Sequence, residues 1–138
     1  MAAQTHNLTG WRNTAFPPKV LRLNNRVDGV LTPINLSGYT FALDVRATPG
    51  AGSALISLDT AADDTANGVR VVEAAAGRVR LQIDQATMQA AWEAAYTAGL
   101  MKAGEAAPLF YDLLLIHSDG FVEAPLEGQF NIEPGITL

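Results

Sequence analysis

Hydrophobic residues in this chain recur mostly at alternate positions, the period of a β-strand with one buried side. The pattern is clearest from 39 to 46. There Tyr39, Phe41, Leu43 and Val45 share one face, while Thr40, Ala42, Asp44 and Arg46 share the other. Thr48-Pro49-Gly50-Ala51-Gly52 interrupts it, and Ala54 to Leu58 resumes it. Val20, Leu21 and Leu23 make an earlier short strand, ended by Asn24-Asn25 and the turn dipeptide Asp28-Gly29. Val69 to Glu73 and Arg78 to Ile83 predict a hairpin across Ala74-Ala75-Ala76-Gly77, with β-branched residues on both arms. Leu109 to His117 is apolar at nearly every position, which predicts a central strand covered on both faces. Ser118-Asp119-Gly120 turns the chain into a last strand, Phe121 to Ile132, where Pro125 predicts a bulge or an edge.

One segment carries the helical period instead. Met88, Trp92 and Tyr96 stand at i, i+4 and i+8 with Ala91 and Ala95 beside them, giving an apolar stripe over about 85–98. Asp84 is placed to cap its N-terminus and Gly99 to close its C-terminus. Such a stripe is expected to lie as a lid on a sheet or an open barrel end. The fold class that follows is mostly β: an antiparallel β-sandwich or small barrel, immunoglobulin-like, with one helix. Residues 20–138 read as a single domain. Residues 1–19 lack a sustained period, and Pro17-Pro18 forbids helix and central strand alike, so they read as an extended arm. Its aromatic residues Trp11 and Phe16 must be buried either over their own domain or against a neighbouring subunit.

Composition narrows the function classes. The chain has 138 residues, 49% of them hydrophobic and 17% charged, which is globular material long enough to bury a core. It has no cysteine, so disulfides, thiolate metal sites and cysteine nucleophiles are excluded together. A reducing cytosol is the expected place of folding. No secretory signal is visible at the N-terminus, and no run approaches the roughly 18 apolar residues of a membrane span, so no membrane association is expected. The net charge is −5 and no Lys/Arg cluster occurs, so nucleic acid is not an expected partner.

Candidates for chemistry are few. His6 lies in the arm and His117 at a hairpin shoulder, a placement that makes no metal site from sequence alone. Ser37, Ser53, Ser57 and Ser118 sit in no nucleophile-elbow pattern, and Gly50-Ala51-Gly52 is too short for a phosphate loop. The acidic loop Asp59 to Gly68 lacks the ligand spacing of a calcium loop and reads as solvated. Asp112 remains, in phase with Phe110, Leu114 and Ile116. It is either a general acid or a structural carboxylate, hydrogen-bonded to backbone or paired with Arg46 or Arg80. With no second carboxylate or histidine at recognisable spacing, the structural reading is preferred. No catalytic residue, cofactor or metal is assigned.

The blocks "INLSGYTFALDVRATPGAGSALISLDT" (34–60), "VRLQID" (79–84) and "FYDLLLIHSDGFVEAPLEGQFNIEPGIT" (110–137) carry a resemblance. Their order resembles a small β-sandwich module of tailed-bacteriophage and prophage structural proteins. In that module a Leu-Ser/Thr-Gly-Tyr-Thr-Phe strand ends in Val-Arg. A Tyr-Asp-Leu strand later pairs with an Asp-Gly-hairpin partner that ends in Pro-Gly-Val/Ile-Thr. Leu36, Gly38, Tyr39, Phe41, Arg46, Tyr111, Asp112, Leu113, Asp119, Gly120, Gly128, Phe130, Pro134 and Thr137 match it. The helical insert departs from it, being longer than the module's short capping segment. The resemblance implies structural roles for Arg46, Tyr111 and Asp112 and no enzyme activity. It implies a virion location after folding in the host bacterial cytoplasm, with other virion structural proteins and further copies of the chain as partners. Trp11, Phe16, Pro17, Pro18, Ile136 and Leu138 are the expected contact residues. A carbohydrate- or host-receptor-binding module, a head-decoration or neck protein, and a small glycan hydrolase are the alternatives.

Overall fold

The structure, a computed structural model, describes residues 4–49 and 53–135. It is mostly β, a sandwich of two sheets and a projecting hairpin, with one α-helix among the described residues. The main sheet runs β1 (Gln4–Thr5), β11 (Val122–Glu133), β10 (Ala107–Ile116), β6 (Thr40–Arg46), β7 (Ile56–Asp59), and β2 (Leu8–Trp11) also joins β11. The second sheet runs β3 (Val20–Arg22), β9 (Arg78–Gln82), β8 (Gly68–Glu73). Leu43, Val45, Leu113 and Phe130 of the first and Leu21, Val79 and Leu81 of the second share one buried cluster. Burying each such side chain stabilises the fold by roughly 1.5–3 kcal/mol.

Residues 4–11 of the expected arm lie on their own domain as strands of the main sheet. β1 and β2 both pair in parallel with β11, through Gln4↔Leu126, Thr5↔Glu127 and Leu8↔Phe130 to Trp11↔Glu133. The strands are too short to show a period in sequence, yet each adds ladder hydrogen bonds to a long central partner. Leu8 is fully buried. Phe16, 6% exposed, stacks on Phe130 with centroids 5.4 Å apart. Phe16 is therefore buried over its own domain, one of the two readings left open for it, and its expected place among the contact residues is corrected. A chain shortened by residues 1–18 would lose strands and core together.

β3 ends at Arg22, just before Asn24-Asn25, and these residues begin a hairpin, β4 (Asn24–Val27) and β5 (Val30–Pro33). Its turn is Asp28-Gly29, with φ of 49° and 80°. Those paired positive angles give the two-residue turn that matches strand twist, which explains the dipeptide. The hairpin base is tied by Leu23 N–H to Gly77 O (2.7 Å) and Ile34 N–H to Leu23 O (2.9 Å). The β8–β9 link contains a 3-10 turn, Ala74–Ala76, and Gly77 after it.

The helix α1 spans Gln85–Thr97, and its apolar stripe is Met88, Ala91, Trp92 and Ala95. Tyr96 is exposed, contrary to the i, i+4, i+8 reading. Eight residues turn a helix about 80° past its starting face, whereas seven fall only about 20° short, so Ala95 takes the buried place. Asp84 Oδ1 accepts from Thr87 N–H at 2.8 Å. At the other end Gly99 N–H reaches Tyr96 O and Leu100 N–H reaches Ala95 O, the paired bonds of a left-handed glycine terminus.

β10 is central, between β11 and β6, but only one of its faces is closed. Ala107, Leu109, Tyr111, Leu113 and Leu115 are buried, whereas Phe110, Asp112, Leu114 and Ile116 are half-buried. The expected second cover is missing from the described residues, because the second sheet and the helix pack on the same side. Opposite Leu114, Ala124 and Pro125 crowd one extra residue into β11, and the register shifts there. Pro125 thus sits in a bulge.

Candidate functional site

The half-open face of the main sheet carries a transverse row of polar residues. Register places Ser57 beside Asp44, Asp44 beside Asp112, Asp112 beside Glu127, and Glu127 beside Thr5, one residue from each of β7, β6, β10, β11 and β1. Three carboxylates thus stand on adjacent strands. Like charges directly opposite each other weaken strand pairing, so this row is a local cost to the fold. A cavity of about 510 Å³ opens above it, bordered also by Arg46, Phe110 and Gln129.

Internal compensation reaches only one end of the row. Asp44 accepts from Arg46 Nη2 at 2.9 Å and from Ser57 Oγ at 2.7 Å. Arg46 stands opposite Phe110, not Asp112, so it serves the carboxylate two residues back on its own strand. Arg80 lies in the other sheet and pairs with Asp64 at 2.7 Å. The expected pairing of Asp112 with Arg46 or Arg80 is therefore corrected: among the described residues neither Asp112 nor Glu127 has an ion-pair partner.

Tyr111, one residue away, points the other way. It is buried and edge-on to Phe130, and its hydroxyl donates to His6 O at 2.6 Å. Burial, and secondarily the charge of Glu127, pushes its phenol well above the ordinary tyrosine range. The hydroxyl thus pins the link between β1 and β2. Beneath that link lies Gly128, where a Cβ would meet His6 O at 2.4 Å.

The remaining expected contact residues are scattered. Trp11, 41% exposed, ends β2 beside Glu133. Its neighbour Arg12 donates to Pro134 O and lies over the Trp92 ring, 4.4 Å from its centroid. Pro17 is half-buried and Pro18 exposed. Ile136 and Leu138 lie outside the described residues. His117 meets Glu123 at 2.7 Å between the rings of Tyr39 and Phe121 and is hydrogen-bonded to none of the polar row. In the acidic loop, Asp63 accepts from Thr65 N–H, Thr65 Oγ1 and Ala66 N–H, which holds its carboxyl below the usual range. Its oxygen closes its own turn.

Two features are not legible in the sequence. The apolar β4–β5 tip, with Val30 64% and Leu31 49% exposed, carries only a turn signal there. The carboxylate row was invisible because Asp44, Asp112 and Glu127 meet only through register. Strand parity put Asp44 and Asp112 on faces of known phase, and that is the signal that could have raised it. No protein-family model matches the sequence, and a search of characterised proteins finds no match. Among the described residues no helix is long and apolar enough to cross a membrane.

Proposed function

We propose that this chain is a structural component of a phage virion, in the tail, baseplate or fibre-attachment region, acting through protein–protein interfaces. Two strands of support meet here. The Leu-Ser-Gly-Tyr-Thr-Phe block of the resemblance leads into β6, the Tyr-Asp-Leu block lies on β10, and the Asp-Gly block lies at the β10–β11 turn. The observation that carries most weight is the β4–β5 hairpin, whose Val30, Leu31, Thr32 and Pro33 are all exposed. A two-stranded hairpin is marginally stable alone in water, and an apolar tip is costly to leave wet, so it gains by docking on another chain. Phe121, 61% exposed, gives the β10–β11 turn a similar character.

The test is genetic and visual. Removing the gene from its phage or prophage should yield particles with a defined structural defect by electron microscopy, restored by the intact chain. Complementation with Val30→Asp/Leu31→Asp should fail although the variant protein folds. Normal, infectious particles from the deletion would refute the proposal. A second reading, a glycan-binding module, rests on the exposed ring of Trp11. Glycan-array binding abolished by Trp11→Ala would favour it instead.

A further inference from the structure

We infer that this chain pairs with a second copy of itself about a two-fold axis running beside β1, a reading that deepens the proposed assembly role and rests on it. The inference comes from two oppositely charged surfaces on either side of one short strand. On one side is the cavity over Asp112 and Glu127, the two carboxylates left without ion pairs among the described residues. On the other is a slot of about 250 Å³ between β1 and β3, lined by Gln4 and His6 on one wall and by Lys19 and Arg22 on the other. Lys19 and Arg22 are exposed, and neither has an ion-pair partner among the described residues. Thr5 borders both spaces.

The backbone is prepared for such a contact. β1 ends the main sheet and β3 ends the second, so each presents a strand edge with unused hydrogen-bonding groups. A chain needs two complementary patches side by side to form a closed two-fold contact, since each patch must meet the other's copy. Here one strand width separates them. Rotation about the β1 edge sets Lys19 and Arg22 of one copy against Asp112 and Glu127 of its partner, and makes the same contact a second time. The like-charge row is then relieved by cations from outside the chain. The charges also oppose association of mismatched copies, which gives the contact its register.

Sedimentation velocity on the full chain tests this, with Lys19→Glu/Arg22→Glu as one variant and Asp112→Lys/Glu127→Lys as the other. The wild type is expected to dimerise, more weakly as salt rises. Each variant alone should dimerise about tenfold or more weakly, because reversal puts like charges across both contacts. An equimolar mixture of the two should regain the dimer, because both contacts of the mixed pair are again opposite in sign. Circular dichroism checks that each variant folds; for one that does not, Lys19→Gln/Arg22→Gln and Glu127→Gln give the same ordering of the single variants. A wild type monomeric throughout, an open series larger than a dimer, a dimer indifferent to both variants, or a mixture no better than its parts would each overturn the inference. None of these results depends on virion incorporation, so the two proposals fail separately.

Discussion

Gly128→Ala is the sharpest probe of how the N-terminal strands are held. The chain between β1 and β2 crosses directly over Gly128, and an added Cβ would lie 2.4 Å from His6 O, 2.9 Å from His6 C and 3.1 Å from Asn7 Oδ1. Two of those atoms are backbone, so no rotamer change relieves the clash. The backbone must lift, and three hydrogen bonds depend on its position: His6 N–H to Glu127 O (2.8 Å), Tyr111 Oη to His6 O (2.6 Å) and Gln129 N–H to Asn7 Oδ1 (3.0 Å). Overpacking costs about 1–3 kcal/mol, and weakening a buried hydroxyl's bond adds about 1 kcal/mol. The expected loss is about 2–4 kcal/mol, or a fall in Tm of roughly 8–16 °C at about 4 °C per kcal/mol for a domain of this size. Thermal and urea unfolding measure the loss, and hydrogen exchange at Leu8–Trp11 locates it. An unchanged Tm, with exchange in β2 as slow as in the wild type, would falsify the crossing described here.

Three further outcomes follow from the same packing. Phe16→Ala should destabilise the chain by about 3–5 kcal/mol in chemical denaturation; a near-neutral effect would mean that this ring is not part of the core. Asp84→Ala should cost about 1 kcal/mol through loss of the helix cap. Because hydrogen bonds from Thr87 and Asn67 hold the Asp84 carboxyl below its usual range, the cap's contribution is present above the ordinary aspartate value. It fades as pH falls through the lowered one, so the wild-type and variant stabilities should converge in acid; a constant gap would contradict the cap. Tyr111 is favoured neutral in the fold, so its burial stabilises below the ordinary tyrosine value and counts against the fold as pH rises above about 10. Tyr111→Phe should therefore leave the phenolate absorbance rise of the folded protein unchanged through that range; a missing third of the amplitude would show Tyr111 to be accessible.

Strands with one clean face were legible in sequence. Phe41, Leu43 and Val45 alternate without exception, and they are buried on β6 as the period requires. The helix was legible from its caps, since Asp84 and Gly99 act locally and need no tertiary partner. Gln4–Thr5 and Leu8–Trp11 were not, because a strand of a few residues has too few alternations to register and owes its form to β11. The open face of β10 was misread for a related reason: Leu114 and Ile116 are apolar, and composition cannot say which of two apolar faces a second sheet will cover. The candidate site suffered most. Asp44, Asp112 and Glu127 lie far apart along the chain, and only the β6–β10–β11 register brings them into line.

The proposed role is that of a fixed part among other chains. Quantitative mass spectrometry of gradient-purified phage particles from the proposed host tests it most directly. On that role, its peptides are expected at a constant small-integer ratio to tail proteins across the particle peak. Peptides confined to the soluble lysate, with none co-sedimenting, would contradict it.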